Sequence, residues 1–221
     1  MTIQEILDKS FEDFKAFCDE RHNIYVNQFY DKGLTYSFHT DVVLLQGLKF
    51  LHLITGDVDK FIVKCGLKGH DLIEDGRMSY NDIKNIIVGI LIKNGLYNEK
   101  LSLDEIANNP FLDIPKKVAE VVFLTTDEKG RDRDERKPIS LYNELVEDKL
   151  AVFVKISDII GNVKFGLLTN NPKAKTVYKK EWQEKQKAII HKGTQKLIFP
   201  SDNGSIYQEM LDYLDAIFEL V

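Results

Sequence analysis

Apolar residues recur at helical spacing along most of the chain, and the predicted elements follow from that period. Ile3, Ile6, Leu7, Phe11, Phe14 and Phe17 mark one face of a helix over about 3–19. The aromatic segment 25–38, with Gly33 inside it, predicts a short helix and a turn. A helix over about 40–55 ends near Gly56; Asp57 opens the next, through about Gly66, and the stretch bearing His70 to Asp75 follows. Ser79 with Asp82, and Ser102 with Glu105, have capping-box spacing, so each opens a short helix. Pro115 suits the first turn of a helix over 116–124. Long helices are expected over about 140–168, broken near Glu147, and over about 173–192. Pro200 and Gly204 precede a last amphipathic helix over 206–220. No internal repeat or low-complexity tract interrupts this order. The pattern predicts a single all-α domain, a helical bundle with its core over about 25–195 and the 3–19 and 206–220 helices packed on it.

Composition narrows the class. Among 221 residues, 43% are hydrophobic and 29% charged, which suits a globular chain with ample core. No run of about 18 apolar residues predicts a membrane span, and the acidic, amphipathic start is not a secretory signal. Cys18 and Cys65 do not form a disulfide framework and read as buried or incidental thiols in a reducing, cytoplasmic setting. A net charge of −5 with scattered lysines and arginines gives no basic face for nucleic acid, and a small-molecule partner is expected. The charge-dense stretch is 125–138.

Candidate chemistry begins at His70-Asp71-Leu72-Ile73-Glu74-Asp75. Residues three and four apart share a helical face, so Glu74 would lie near His70 and Asp71, and Asp75 near Asp71. Carboxylates this close repel unless a cation or counter-charge holds them; the alternative is a solvated acidic turn with an incidental histidine. Asp158 follows Leu150 and Val154 on one stripe, and Asn162 continues it, so polar groups stand where the core pattern calls for aliphatic ones. A buried carboxylate needs a metal or a cationic partner, and Lys155 and Lys164 are both at hand. His39 precedes Val42, Val43, Gln46 and Phe50 at helical spacing and should face inward, as a ligand or as a core histidine. His22, His52 and His191 have no comparable setting. Two histidines and two aspartates would suit a divalent first-row ion, with Mn²⁺, Fe²⁺, Ni²⁺ and Zn²⁺ all open.

The order His, then His-Asp, then a distant Asp resembles the HD superfamily of metal-dependent phosphohydrolases. Within it, the similarity is closest to the hydrolase domain of RelA/SpoT-type proteins and to small alarmone hydrolases. Four stretches over roughly 30–190 carry it: Gly33-Leu-Thr-Tyr36-Ser-Phe-His39; His70-Asp71-x-x-Glu74-Asp75 followed by Ser79 to Ile83; Thr126-Asp127 through Glu135-Arg136-Lys137; and Val154-Lys155-x-x-Asp158-x-x-x-Asn162. The resemblance implies a single HD domain in which His39, His70, Asp71 and Asp158 bind a metal, Mn²⁺ by analogy. It implies Glu74 and Asp75 as the acid–base pair, Asn162 as a substrate contact, and Lys155 as a support for Asp158. Lys32, Lys164 or the 131–137 loop would neutralise phosphate charge.

The implied activity is hydrolysis of a nucleotide phosphoester or diphosphoester, with (p)ppGpp and loss of its 3′-pyrophosphate first. A nucleotidase or an NADP(H)-type phosphatase using the same site is the enzymatic alternative, and a non-catalytic helical interaction module is the alternative of another class. The chain departs from the family pattern in three places. Tyr30 stands where an arginine is common, with Lys32 as a substitute; Ile159 follows Asp158 where an arginine is usual; and 89–113 predicts an added helical segment. With 63 residues after Asp158, no synthetase-like region is expected.

Overall fold

A computed structural model of the chain describes residues 1–31, 33–97, 111–127, 131, 133–136, 138–196 and 206–220. Helix α1, Ile3–Glu20, starts with a capping box in which Thr2 accepts from the Glu5 backbone and Glu5 accepts in return. Its stripe of Leu7, Phe11, Phe14 and Cys18 is buried. A π-helical turn, Arg21–Tyr25, follows. The segment expected to hold a short helix instead forms an antiparallel ribbon of β1, Phe29–Asp31, and β2, Leu34–Thr35. Gly33, at φ +83, supplies the left-handed residue that so short a hairpin needs.

Helix α2 runs Tyr36–Lys49 rather than 40–55, and a 3₁₀ turn over Leu51–Leu53 closes it. Helix α3, Asp57–Gly69, has Gly56 at its N-cap, with Asp57 inside the first turn, where an acid suits the helix dipole. Helix α4, Tyr80–Lys93, carries the expected capping box, Ser79 accepting from the Asp82 backbone. Helix α5, Ile114–Thr125, has Pro115 in its first turn. The Ser102–Glu105 box, and with it most of the added 89–113 segment, lies outside the described residues.

Beyond a single helical turn at Arg133–Arg136 lie α6, Ile139–Leu145, and α7, Lys149–Leu168. They are separated where a break was expected, and Asp148 caps α7 by accepting from Leu150 and Ala151. The run we label α8 alternates π turns, Ala174–Tyr178 and Trp182–Gln186, with α-helix at Lys179–Glu181 and Lys187–Lys196. Helix α9, Gln208–Glu219, is held to α8 by Trp182 Nε1 donating to Asp215 Oδ1 at 2.8 Å. The described residues thus form an all-α fold with one minor ribbon. No described helix is long and apolar enough to cross a membrane. Cys18 and Cys65 are free and buried, and burial pushes both thiols up.

Helices α3 and α7 form the centre, and both touch α2 and α5. Helix α7 is buried on nearly every face, and Lys155, Ser157 and Asp158 are buried with it. The α3–α7 contact is close because Gly66 has no side chain: a Cβ there would meet Val121 Cγ1 at 2.6 Å and Val154 Cγ2 at 2.9 Å. Gly66→Ala is expected to cost about 1–3 kcal/mol of stability, read as a lowered melting temperature. Lys68, fully buried near the end of α3, puts its Nζ 2.6 Å from Asp19 Oδ1 of α1 and 2.5 Å from Asp41 Oδ1 of α2. Three helices are therefore pinned together two residues before His70.

Candidate metal centre

His39 reaches the interior because Tyr36, His39, Thr40, Val43 and Gln46 share the buried stripe of α2. His70 caps α3, and His70 to Asp75 wind on in successive turns rather than in a regular helix. The Asp75 amide donates to the Asp71 carbonyl at 2.8 Å and the Gly76 amide donates to it at 3.0 Å, which keeps Asp71, Glu74 and Asp75 on one side. Arg21 anchors the exit of this stretch, its Nε donating to the Gly76 carbonyl at 2.7 Å. Asp158 projects from α7 on the stripe of Leu150 and Val154.

Four donors meet at one point. The Nε2 atoms of His39 and His70 are 3.2 Å apart, and Asp71 Oδ2 lies 3.3 Å from the first and 3.1 Å from the second. Asp158 Oδ1 is 3.7 Å from each. The ligand atoms of His39, His70 and Asp158 all lie within 4.8 Å of one another, and the three side chains are buried. His70 Nδ1 is 3.1 Å from the Leu67 carbonyl, so Nδ1 carries a proton and donates it, and Nε2 faces the cluster. A backbone carbonyl on the outer nitrogen is the usual support of a metal-ligating imidazole. Facing nitrogens and two carboxylates make a donor set that fits a divalent cation. Asp71 Oδ2 adjoins this set through the two histidines.

The second layer is dense. Asn162 Nδ2 donates to Asp158 Oδ1 at 2.6 Å, and Tyr30 OH donates to Asn162 Oδ1 at 3.0 Å. The Tyr30 ring stacks on His39 at 4.5 Å and 17°, so the ribbon lies over the first histidine. Tyr36 OH sits 2.7 Å from Asp71 Oδ2 and 2.5 Å from Asp75 Oδ2, and Gln28 Nε2 donates to Asp75 Oδ1 at 2.8 Å. One phenolic proton thus links a ligand carboxylate to a neighbouring acid. Tyr36→Phe is expected to weaken divalent-metal binding by about 10–100-fold, checked by titrating metal into both proteins.

Lys155 Nζ lies 3.1 Å from the Thr125 carbonyl, 3.4 Å from Asp127 Oδ1 and 3.7 Å from Asp158 Oδ2. Burial opposes its charge, but Asp127 and Asp158 outweigh burial and hold Lys155 protonated. Asp158 therefore has the cationic partner that its burial required and is also beside both histidines. Burial works against the ionised form of Asp71, yet His70 and His39 keep it well below the usual carboxylate range. Burial likewise opposes the charge of His70, and Asp71 and Asp158 raise it to about 9. Glu74 is pushed up to about 7 by burial and by Asp127, Asp71 and Asp75.

His39, Asp71, Asp158 and Lys155 line a polar cleft of about 160 Å³ together with Glu74, Asp75, Asn162 and Arg136. That volume is below the usual range for a drug-sized ligand and suits a single headgroup. Arg136, from the charge-dense stretch, donates from Nη1 to Glu74 Oε1 at 3.2 Å, which puts one cation of that loop at the cleft. Lys32 lies outside the described residues. Lys164 is not brought to the site: its Nζ donates to Tyr213 OH at 2.7 Å, because six residues beyond Asp158 is the other side of an α-helix.

Sequence reasoning missed several residues here. Tyr30, Gln28 and Arg136 arrive across a ribbon and a loop, where spacing carries no signal. His22 is fully buried, stacks on Tyr36 at 4.8 Å, and neither ring nitrogen has a hydrogen-bond partner among the described residues. It continues the Leu7, Phe11, Phe14, Cys18 stripe by four residues, a signal that was present. His52 is exposed beside Glu209, as expected of an incidental histidine. No protein-family model, curated protein or solved structure matches the chain.

Proposed function

We propose that the chain is a metal-dependent phosphohydrolase of the HD type, acting on a nucleotide phosphoester or diphosphoester. The observation that carries this reading is the convergence of His39, His70, Asp71 and Asp158 at a polar cleft lined by Glu74 and Asp75. His39, His70, Asp71 and Asp158 would hold the ion, with Mn²⁺ as the candidate by resemblance. When bound, it supplies Lewis-acid polarisation of a phosphoryl oxygen and lowers the pKa of a coordinated water.

The chain's own groups divide the remaining work. Glu74, whose carboxyl is poised near neutrality, takes and returns a proton at the cleft mouth. Asp75, with both oxygens engaged by Tyr36 and Gln28, is held in place and positions the reacting groups. Asn162 fixes the Asp158 carboxylate and borders the cleft. Arg136 and Lys155 supply positive charge for phosphoryl oxygens, Arg136 by exchanging Glu74 for substrate.

By resemblance, the first substrate is (p)ppGpp, cleaved at its 3′-pyrophosphate. One observation favours the second reading, a nucleotidase or NADP(H)-type phosphatase: Tyr30 stands in place of the family's arginine and is committed to His39 and Asn162. A screen of nucleotides with purified protein, with and without Mn²⁺, separates the two. Metal-dependent release of pyrophosphate from ppGpp is the expected result. Orthophosphate from a simple nucleotide or from NADP would move the assignment to the second reading. Metal-independent turnover, or none with any nucleotide, would overturn both.

A further inference from the structure

Lys164 stands at an apolar pocket of about 350 Å³ formed by the C-terminal ends of α7 and α9. Leu167 and Leu168 of α7 line it with Ala216 and Ile217 of α9 and with Leu220, which caps α9. The volume lies in the range of small-molecule sites, and the lining is hydrocarbon except at the mouth. There, Lys164 Nζ donates to the Tyr213 hydroxyl at 2.7 Å and lies 5.4 Å from its ring centroid. Phe50 holds the other side of that ring, with centroids 5.4 Å apart.

The donors at this mouth are unspent. Among the described residues, no carboxylate lies within ion-pair distance of Lys164, and the Tyr213 hydroxyl, having accepted from Lys164, finds no acceptor for its own proton. Lys49 of α2 is the second cation nearby: loss of water and the adjacent Lys164 ammonium both push its pKa down. Lys49 donates to the neutral Gln46 side chain, at 2.8 Å. Two neighbouring ammonium groups with no carboxylate partner among the described residues favour an anion, and the wall behind them favours a hydrocarbon chain. A carboxylate has two oxygens, one for the ammonium and one for the phenol.

We propose that this pocket binds a medium-chain alkyl carboxylate, its head held by Lys164 and Tyr213 and its chain laid between Leu167, Leu168, Ile217 and Leu220. A cationic amphiphile would meet the lysines and be repelled. A short carboxylate would lack the chain that fills the pocket. This site is separate from the metal centre and does not depend on the reading of that centre as an enzyme.

Calorimetric titration of the full chain with decanoate is the test, with butyrate and decyltrimethylammonium as comparison ligands. Saturable binding of one decanoate is expected, with no comparable binding of either other ligand. Lys164→Gln should weaken it by about tenfold, the loss of one charge-assisted hydrogen bond. Ala216→Trp should fill the pocket and abolish binding. If that variant does not fold, Leu168→Glu serves, since Leu168 is 85% exposed and its replacement leaves the core untouched. Failure of decanoate to saturate, equal binding of the cationic amphiphile, or undiminished affinity in Lys164→Gln together with a blocking variant would overturn the proposal. So would binding confined to phosphatidylglycerol vesicles with free decanoate inert, which would show a membrane contact instead.

Discussion

On the proposed reading of the site, Asp158→Ala is expected to abolish metal retention and hydrolysis together while leaving the chain folded. Asp158 is the one donor contributed from α7, and without it the two histidines and Asp71 would have to hold a divalent ion with no ligand from that side. Turnover should fall by roughly a thousandfold or more, and metal retained after dialysis should drop to a small fraction of the parent's. His70→Ala should do the same, and the double variant should lose no more than either single one, because the ligands act as a unit.

Folding is the control that gives this result its meaning. Removing one member of a buried ion pair is costly when the other is left uncompensated. Here Lys155 keeps Asp127 at 3.4 Å and the Thr125 carbonyl at 3.1 Å, so its charge is not stranded. The metal-free variant should therefore melt within about 5 °C of the metal-free parent. An Asp158→Ala protein that binds metal at full stoichiometry and keeps its turnover would sink the assignment of the centre.

What the sequence displayed, and what it hid, follows from how each residue reaches the site. His39 and Asp158 were legible because each interrupts an apolar stripe, Tyr36–Val43–Gln46 on α2 and Leu150–Val154 on α7, so a polar group had to be buried. Asp71, Glu74 and Asp75 were legible by proximity in sequence, even though the turn that carries them is not a regular helix. Tyr30 and Gln28 were not, because strands of three and two residues are too short to show alternation, and an aromatic run with one glycine reads equally well as helix. Arg136 is brought to Glu74 by a connection that has no period at all. Lys164 lies six residues past Asp158, about 120° round the helix, and that angle carries it to Tyr213 rather than to the cleft.

Metal affinity should rise steeply with pH between about 6 and 8. In the metal-free chain Asp71 and Asp158 hold the His70 proton up to about 9, although burial opposes it. An imidazole must give up that proton to bind a cation, so binding releases at least one proton per ion through this window. Asp71 is already ionised there, its carboxyl being well below the ordinary range, and adds no slope. The dissociation constant should fall by about tenfold per pH unit, or about a hundredfold from pH 6 to pH 8. Calorimetry in buffers of different ionisation enthalpy counts the protons directly. The same shift acts with the opposite sign on folding without metal. A histidine whose folded pKa is raised contributes stability that is fully present below its unfolded value of about 6.5 and is lost as pH rises through about 9. The metal-free protein should therefore become less stable over the range in which the metal-loaded protein becomes more so, and the difference between their melting temperatures should widen with pH. Metal binding that does not vary with pH, or melting temperatures that move in parallel, would mean that His70 does not face the cation.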